Sequence, residues 1–468
     1  MFVFHLHLYQ PDRADPWLEV IFPEPSASPF RHWNERVSHE CYEPNAELGN
    51  FDWVSFDVGP TLLTWLRRYK PLVYKALLEA DKAGAERWGH GNALAHPYYH
   101  VILPLVPRRD REVLVHWGVE YFKRHFKRSP EGMWLPEMAV DLETLEVLVD
   151  YGISFTVLTQ SQVRGVGPGG PYRLVLPSGR HIAVFVRDEA VSNALAFGGS
   201  EKFAEAVRGV SGDLIIALDG ETFGHHIKGG DKMLAQFIAQ HRDRLTNLGA
   251  LLERGHKAEA EVVERTSWSC PHGLGRWSRD CGCDGPAPWR EGLRRLIDWV
   301  GEVVDKAFEE GPGGWEDLKN YINVLLGGDN SGYTTQQLRL LEAQRAKLAA
   351  NTSDAWFFAR VGIEFGIAVK WALRALELLG DEEKLGEFMR RLEELPVAGG
   401  AVAFCPRIRG PLLAAAMYVA YATAGEAVDK IGPYRILHIN DEFEIFDERT
   451  RESFRFRHDL LWGSFTSI

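Results

Sequence analysis

The chain has 468 residues, a formal net charge of −12 and a sequence pI near 5.8, a balance that disfavours nucleic acid and anionic membrane surfaces as general partners. Its 45% hydrophobic and 25% charged content describes an ordinary globular protein, long enough for a large core plus appended modules. Five cysteines are an odd and small number for a disulfide framework. Met1 opens directly into Phe2-Val3-Phe4, with no basic leader and no apolar run of spanning length, so a cytoplasmic location is the expectation.

From the start to about residue 240, short apolar runs alternate with helical patterns, as repeated β-α units do around a parallel sheet or barrel. The expected strands are 1–7, 87–91, 132–135, 155–158, 181–186 and 214–218. Between the first two lies an excursion from Asp12 to Asp57, rich in Pro and aromatic residues, whose composition argues for order over a site. From about residue 285 the pattern turns to amphipathic helices over 289–310, 314–326, 334–350, 357–379, 382–395 and 411–424. The tail alternates apolar and polar residues on either side of Asn440-Asp441, as a β-hairpin does. The expected domains are a barrel with long inserted loops (1–284), a helical domain that closes the cleft (285–425) and a small β segment (426–468).

Two segments place an acid where an apolar run gives way to a turn: Trp134-Leu135-Pro136-Glu137, and Leu214 to Leu218 followed by Asp219-Gly220-Glu221. Barrel enzymes keep their chemistry at such strand ends; the plainer alternative for Asp219 is an N-cap or turn aspartate. His5 and His7 lie two apart on the first strand and face one side, as ligands for a metal, as donors to a sugar, or as satisfied core residues. His90 to His100 brings three histidines, Asn92 and two tyrosines together after a strand, a surface suited to a polyol. Asp219, Glu221, His225 and His226 offer a mixed carboxylate and imidazole set, although no zinc-peptidase spacing is present. Cys270, His272, Cys281 and Cys283 have the donor types of a tetrahedral zinc at unusually tight spacing; a loop over the site, its cysteines packing as small apolar residues, is preferred. No metal and no cofactor is expected.

Taken in order, His-x-His…Gln-Pro, Gly-His-Gly-Asn…Tyr-Tyr-His…Leu-Pro-Leu, Trp-Leu-Pro-Glu, Asp-Gly-Glu…Gly-His-His and Trp-Ser-Cys-Pro-His-Gly resemble glycoside hydrolase family 57, in the subgroup with a Trp-Ser-Cys…Cys-Gly-Cys segment. The resemblance implies an α/β fold, an incomplete (β/α)7 barrel followed by a helical bundle domain and a short C-terminal β hairpin. It also implies retaining action on α-glucans, as amylase, 4-α-glucanotransferase or branching enzyme. Glu137 matches the family nucleophile and Asp219 its general acid and base; His7, His96, Trp268, Asp354 and Trp356 match substrate-binding positions. His5, Gln10, Trp134, Glu221, His225 and His272 lie in the same motifs and join the expected substrate contacts. The chain departs from the family at Asn92-Ala93-Leu94, where others carry a glutamate, and at Asp354-Ala355, where the subgroup reads Cys-Gly.

Retention requires the two carboxyls at roughly 5–5.5 Å, and the acid of such a pair has a raised pKa. The partner expected is an α-glucan or maltooligosaccharide, with no nucleic acid or membrane, and an oligomer is open. The rival readings are a metal-dependent carbohydrate deacetylase, with an ion on His5, His7, Asp219 and His225, and a carbohydrate-binding protein without turnover.

Overall fold

The computed structural model describes residues 1–207 and 212–457, and they divide into two compact units. The first comprises Met1–Pro11 and Pro23–Arg276, the second Asp12–Phe22 and the described residues from Trp277 onward.

The first unit is built on β1 (Phe2–Leu8), β2 (Ser55–Val58), β3 (Ala93–Leu94), β4 (Phe155–Thr159), β5 (Val163–Arg164), β6 (Gly169–Val175), β7 (His181–Arg187), β8 (Leu214–Asp219) and β9 (Glu259–Val262). Strand β1 is buried along its length, and β8 is buried up to its last residue. Near-continuous apolar runs of this kind mark strands covered on both faces. Strands β3, β2, β1 and β8 lie side by side, all parallel. Beyond β3, single parallel bridges join Ala95 to Met133 and Gly132 to Phe155, and β4 then pairs in parallel with β7. A bond from the Asp188 amide to the Ile215 carbonyl (2.8 Å) ties the end of β7 to β8. Seven parallel segments, β1, β2, β3, residues 132–134, β4, β7 and β8, therefore follow one another around an incomplete (β/α)7 barrel.

The expected strand at 87–91 is not formed. Arg87 and Trp88 end the helix Pro71–Trp88, which Gly89 stops in the left-handed region (φ 80°), and the strand lies at Ala93–Leu94 instead. Residues 132–135 contribute only isolated bridges. Strand β2 escapes the sequence because four residues, Ser-Phe-Asp-Val, carry too little periodicity to stand out after the 3₁₀ turn Asn50–Trp53. The excursion that precedes it is ordered, with short helical turns over Trp33–Val37, Ser38–Tyr42 and Glu43–Glu47.

In the second unit, the helix Trp289–Glu310 buries Leu293, Leu296, Ile297, Val300, Val304 and Phe308, a stripe at spacings of three and four. Helix Thr335–Ala350 starts at a Thr334/Gln337 capping box and is enclosed all round over its second half. The expected helix 357–379 begins only at Ile363; Asp354–Phe357 forms a separate turn. The segment Asp12–Phe22 joins this unit through Glu19, which pairs with Arg345 (3.1 Å) and Arg449 (3.0 Å). Strands β10 (Lys430–Ile431), β11 (Tyr434–Ile439), β12 (Glu442–Asp447) and β13 (Ser453–Arg457) form an antiparallel sheet. Its central hairpin turns at Asn440-Asp441 as expected, with Asn440 at φ 55°. Residues 458–468 of the anticipated C-terminal β segment lie outside the described residues. Among the described residues no helix is long and apolar enough to cross a membrane.

Helix Arg108–Phe126 positions the chain after β3 through a close approach at Gly118, where a Cβ would stand 2.2 Å from the His96 carbonyl oxygen and 3.0 Å from Pro97 Cα. Alanine is the better helix former by about 1 kcal/mol, but here it meets backbone rather than a side chain able to yield. Gly118→Ala is therefore expected to lower stability by about 1–3 kcal/mol, read as a lower midpoint of denaturant unfolding at unchanged m-value.

Candidate active site

The carboxyl ends of three adjacent strands align a row of polar side chains: in the parallel register His7 of β1 faces Asp57 of β2 on one side and Asp219 of β8 on the other. Asp57 is fully buried and accepts hydrogen bonds from His5 Nε2 (3.0 Å) and His7 Nδ1 (2.9 Å). Burial opposes its ionisation, yet the His7 charge and the two hydrogen bonds outweigh it and hold the carboxyl at about 2. For His7, burial is again the largest influence and opposes charge, but Asp57, with Asp219 and Glu221 adding, pushes the imidazole up to about 9. His5 moves the other way: burial lowers it, and its ring lies stacked on Trp134 at 4.7 Å. Of the two convergent histidines, His5 is thus the fully buried core residue, bonded through Nε2 alone, and His7 carries the charge at the mouth. Burial likewise keeps His96 neutral, at about 4, and pushes His100 well below the ordinary imidazole value.

Glu137 stands in a left-handed conformation (φ 57°), as does Met138 (φ 48°). Such φ values in non-glycine residues persist only where the surroundings over-determine them, and they concentrate at functional sites. The surroundings here are the segment after Thr266. The Trp268 amide donates to the Glu137 carbonyl (3.1 Å), Trp268 Nε1 donates to Glu137 Oε2 (3.0 Å), and the Ser269 hydroxyl donates to the same oxygen (2.5 Å). The Trp268 ring packs edge-on to Trp134 at 5.4 Å and lies under the Arg187 guanidinium. Burial, followed by the nearby Asp219 charge, raises the Glu137 carboxyl to about 7 against those hydrogen bonds. The anticipated rise in an acid therefore falls on Glu137, the expected nucleophile.

Asp219 ends β8 with its side chain exposed and caps nothing, although it occupies the N-cap position of the turn Gly220–Thr222. The turn-aspartate alternative is thereby removed. Gly220 follows because a Cβ there would lie 2.2 Å from Leu8 Cδ2. Glu221 turns inward, accepts from the Tyr9 amide (3.2 Å) and from the Tyr42 hydroxyl, and is raised to about 7 by burial and then by Asp219. Gln10 Nε2 reaches the Tyr42 hydroxyl at 3.5 Å.

The remaining expected contacts are distributed as follows. Trp134 is fully buried and stacks with the imidazoles of both His5 and His7, so it and His5 hold neighbouring groups in place. His225 Nδ1 pairs with Glu40, away from the row. His272 is exposed in the first unit. Asp354 and Trp356 belong to the second unit, where Asp354 accepts from Thr352 (2.8 Å) and the buried Trp356 donates to the Arg290 carbonyl and carries Arg294 over its ring. Cys270 is buried, while Cys281 and Cys283 are half-buried in the second unit. The ion on His5, His7, Asp219 and His225 is not supported: among the described residues those four do not form a metal-sized group.

Sequence reasoning missed Asp57, Tyr9, Tyr42 and Ser269 as parts of the site and gave His100 no individual role. Asp57 had a signal, an acid within a short apolar run before Gly59-Pro60, and Ser269 stood in the Trp-Ser-Cys motif without a role of its own; Tyr42 had none, and the partners of Tyr42 and Ser269 are 179 and 132 residues away.

The Asp57 pairings yield a pH-dependent expectation. The stabilisation due to Asp57 is present above its ordinary value of 3.8 and lost as pH falls through about 2, whereas that due to His7 is present below 6.5 and lost as pH rises through about 9. Asp57→Asn leaves a buried charge unpartnered and is expected to cost about 3–5 kcal/mol. The difference between wild type and variant in unfolding free energy should be largest between pH 4 and 6.5 and shrink toward pH 9.

Residues 7–255 match the family model described as Glycosyl hydrolase family 57, and residues 328–397 match one described as a domain of unknown function (DUF3536). Alpha-amylase 1 of Dictyoglomus thermophilum is 27% identical over 174 residues, 35% of this chain; the match spans only 24% of that relative's length. An exo-type maltose-forming amylase from Pyrococcus sp. ST04 superposes with a TM-score of 0.62 at 17% identity, over 91% of this chain and 85% of that one. A branching enzyme of the same family from Pyrococcus horikoshii gives a TM-score of 0.55 at 16% identity, over 87% and 97% of the two chains. At these identities the two structures bear on the fold alone, which is the barrel described above. The family model covers more than half of the 468 residues, and this chain belongs to glycosyl hydrolase family 57.

Proposed function

We propose that this chain acts on α-glucans or maltooligosaccharides by double displacement, with Glu137 as nucleophile and Asp219 as general acid and base. The observation that carries the reading is the state of Glu137: one carboxylate oxygen is fixed by Trp268 and Ser269, and the whole group lies within the field of an uncapped Asp219. Both donors hold Oε2, which leaves Oε1 to attack the anomeric carbon. Asp219, protonated, delivers its proton to the departing glycosidic oxygen as the glycosyl–Glu137 ester forms. The resulting carboxylate then takes a proton from water or from a sugar hydroxyl, and that oxygen displaces Glu137. Hydrolysis and transglycosylation share the ester and differ only in the acceptor. His7 and His96 offer imidazole nitrogens to sugar hydroxyls, and amylase, 4-α-glucanotransferase and branching activity are the outcomes compatible with this site.

Incubation with maltooligosaccharides tests the reading through shorter, longer or branched products; the absence of all three overturns it. Glu137→Gln is expected to cut turnover by a factor on the order of 10⁴ or more with an unchanged circular-dichroism spectrum, and retained activity would remove Glu137 as nucleophile. The value of about 7 is that of Glu137 beside a charged Asp219, so deprotonation there removes the last proton of the pair and leaves none for the departing oxygen: kcat/KM should fall as pH rises through about 7. In Asp219→Asn the charge that helps to raise Glu137 is gone, and the residual activity, which needs only the Glu137 carboxylate, should rise with pH through a value below about 7. A rise still centred near 7 would separate the two carboxyls.

A further inference from the structure

Three imidazoles gather beside the row of Asp57, His7 and Asp219 more tightly than hydroxyl recognition requires. His7 closes β1, and His96 and His100 follow β3 four residues apart. All three side chains are buried, and one nitrogen of each lies within 4.8 Å of the others. The rings are near parallel, with centroids 5.3–5.9 Å apart. The bonds around them orient the donors: His7 Nδ1 donates to Asp57 (2.9 Å) and His96 Nδ1 donates to the Pro97 carbonyl (2.6 Å), so each turns its Nε2 to the cluster, and a metal ion there displaces the proton from His7 Nε2. His96 Nε2 is buried with no hydrogen-bond partner among the described residues, an arrangement that proteins avoid unless something else supplies the partner.

His7 Nε2 and His100 Nε2 face each other at 3.4 Å. Two nitrogens held about 2.05 Å from a tetrahedral zinc stand roughly 3.3–3.4 Å apart, so this pair already has the spacing of ligands on one ion, and the third nitrogen needs only a small closure. A carboxylate on the far nitrogen, as Asp57 is on His7, is the usual outer-sphere partner that fixes a ligating imidazole. Three imidazoles without a carboxylate in the inner set favour zinc or copper over magnesium or calcium.

We infer that His7, His96 and His100 form a binding site for a divalent transition-metal ion, zinc in the first instance, and that an ion seated there excludes saccharide. The site itself stands on the geometry above. The exclusion rests on the proposed glycosidase reading, in which His7 and His96 face the substrate.

The full chain, stripped with chelator, is titrated with Co²⁺ and separately with Zn²⁺ in a calorimeter, with no sugar present. The expected result is a ligand-field band of imidazole-bound Co²⁺ that accounts for one equivalent. That equivalent should be lost in His96→Gln/His100→Gln and in His100→Phe, which keeps a ring against Tyr9, while thiolate charge-transfer bands from the chain's cysteines stay unchanged. Equal stoichiometry and spectrum in wild type and in a folded variant overturn the site. With maltooligosaccharide present, one equivalent of Zn²⁺ is expected to lower the rate at least tenfold and chelator to restore it; unchanged or increased turnover overturns the exclusion. If zinc binds as described and no sugar is ever processed, the glycosidase reading fails while the site stands. If sugar is processed and no histidine-dependent metal binds, the reverse holds.

Discussion

A single buried carboxylate, Asp57, organises the mouth of the barrel. Isolated in a protein interior it would be expensive, since desolvation of an unpaired carboxylate costs several kcal/mol. It remains ionised because His5 and His7 both donate to it from the neighbouring strand. The same pairing makes His7 a cation, while at His5 burial outweighs it and lowers the imidazole. A cation fixed between Asp57 and Asp219 restrains the pKa rise of Glu137 and of Glu221, which would otherwise be driven further by burial and by each other's neighbour Asp219. At both carboxyls the His7 charge acts against burial and Asp219, which are larger influences.

Glu137 is held by a different device. Its backbone sits in a conformation that costs on the order of 1–3 kcal/mol for a non-glycine residue, and the segment around Trp268 secures it with a backbone bond and two side-chain bonds. The strained turn aims the carboxyl into the mouth, and fixing one oxygen leaves the other a defined direction. Rigidity is supplied from the layer behind, where His5 stacks on Trp134 and Trp268 packs edge-on against the same ring. Residues that look like binding groups by type, His5 and Trp134 among them, are spent on that support.

The second unit solves a separate problem, that of enclosing charged side chains within a helical core. Arg345 and Arg449 share Glu19, and Glu342 completes the group by accepting from Arg345 and from the Tyr321 hydroxyl (2.6 Å). The pairing holds Glu19 at about 2, against burial, which is the largest influence and opposes ionisation. Its consequence is structural: a segment eleven residues long near the start of the chain, Asp12–Phe22, is counted with the helices and the C-terminal sheet rather than with the barrel strands on either side of it.

What the sequence by itself determined was what local rules determine. Buried strands such as Leu214–Leu218, the amphipathic helix 289–310, the Asn440-Asp441 hairpin and the two acids at strand ends are all legible, because period, apolar run length and turn chemistry act over a few residues. The family likewise shows in ordered motifs, each of them short. Tertiary structure alone decided which polar groups meet. Asp57 becomes the partner of two histidines only through the register of β2 against β1, and Tyr42 and Ser269 reach their carboxyls across the fold. The absence of a full strand at 132–135 was settled in the same way, by neighbours in space, whereas the boundary at 87–91 is local, the helix Pro71–Trp88 running on to Gly89. Hydrogen bonds between distant segments depend on how strands are laid side by side, and no spacing along the chain encodes that.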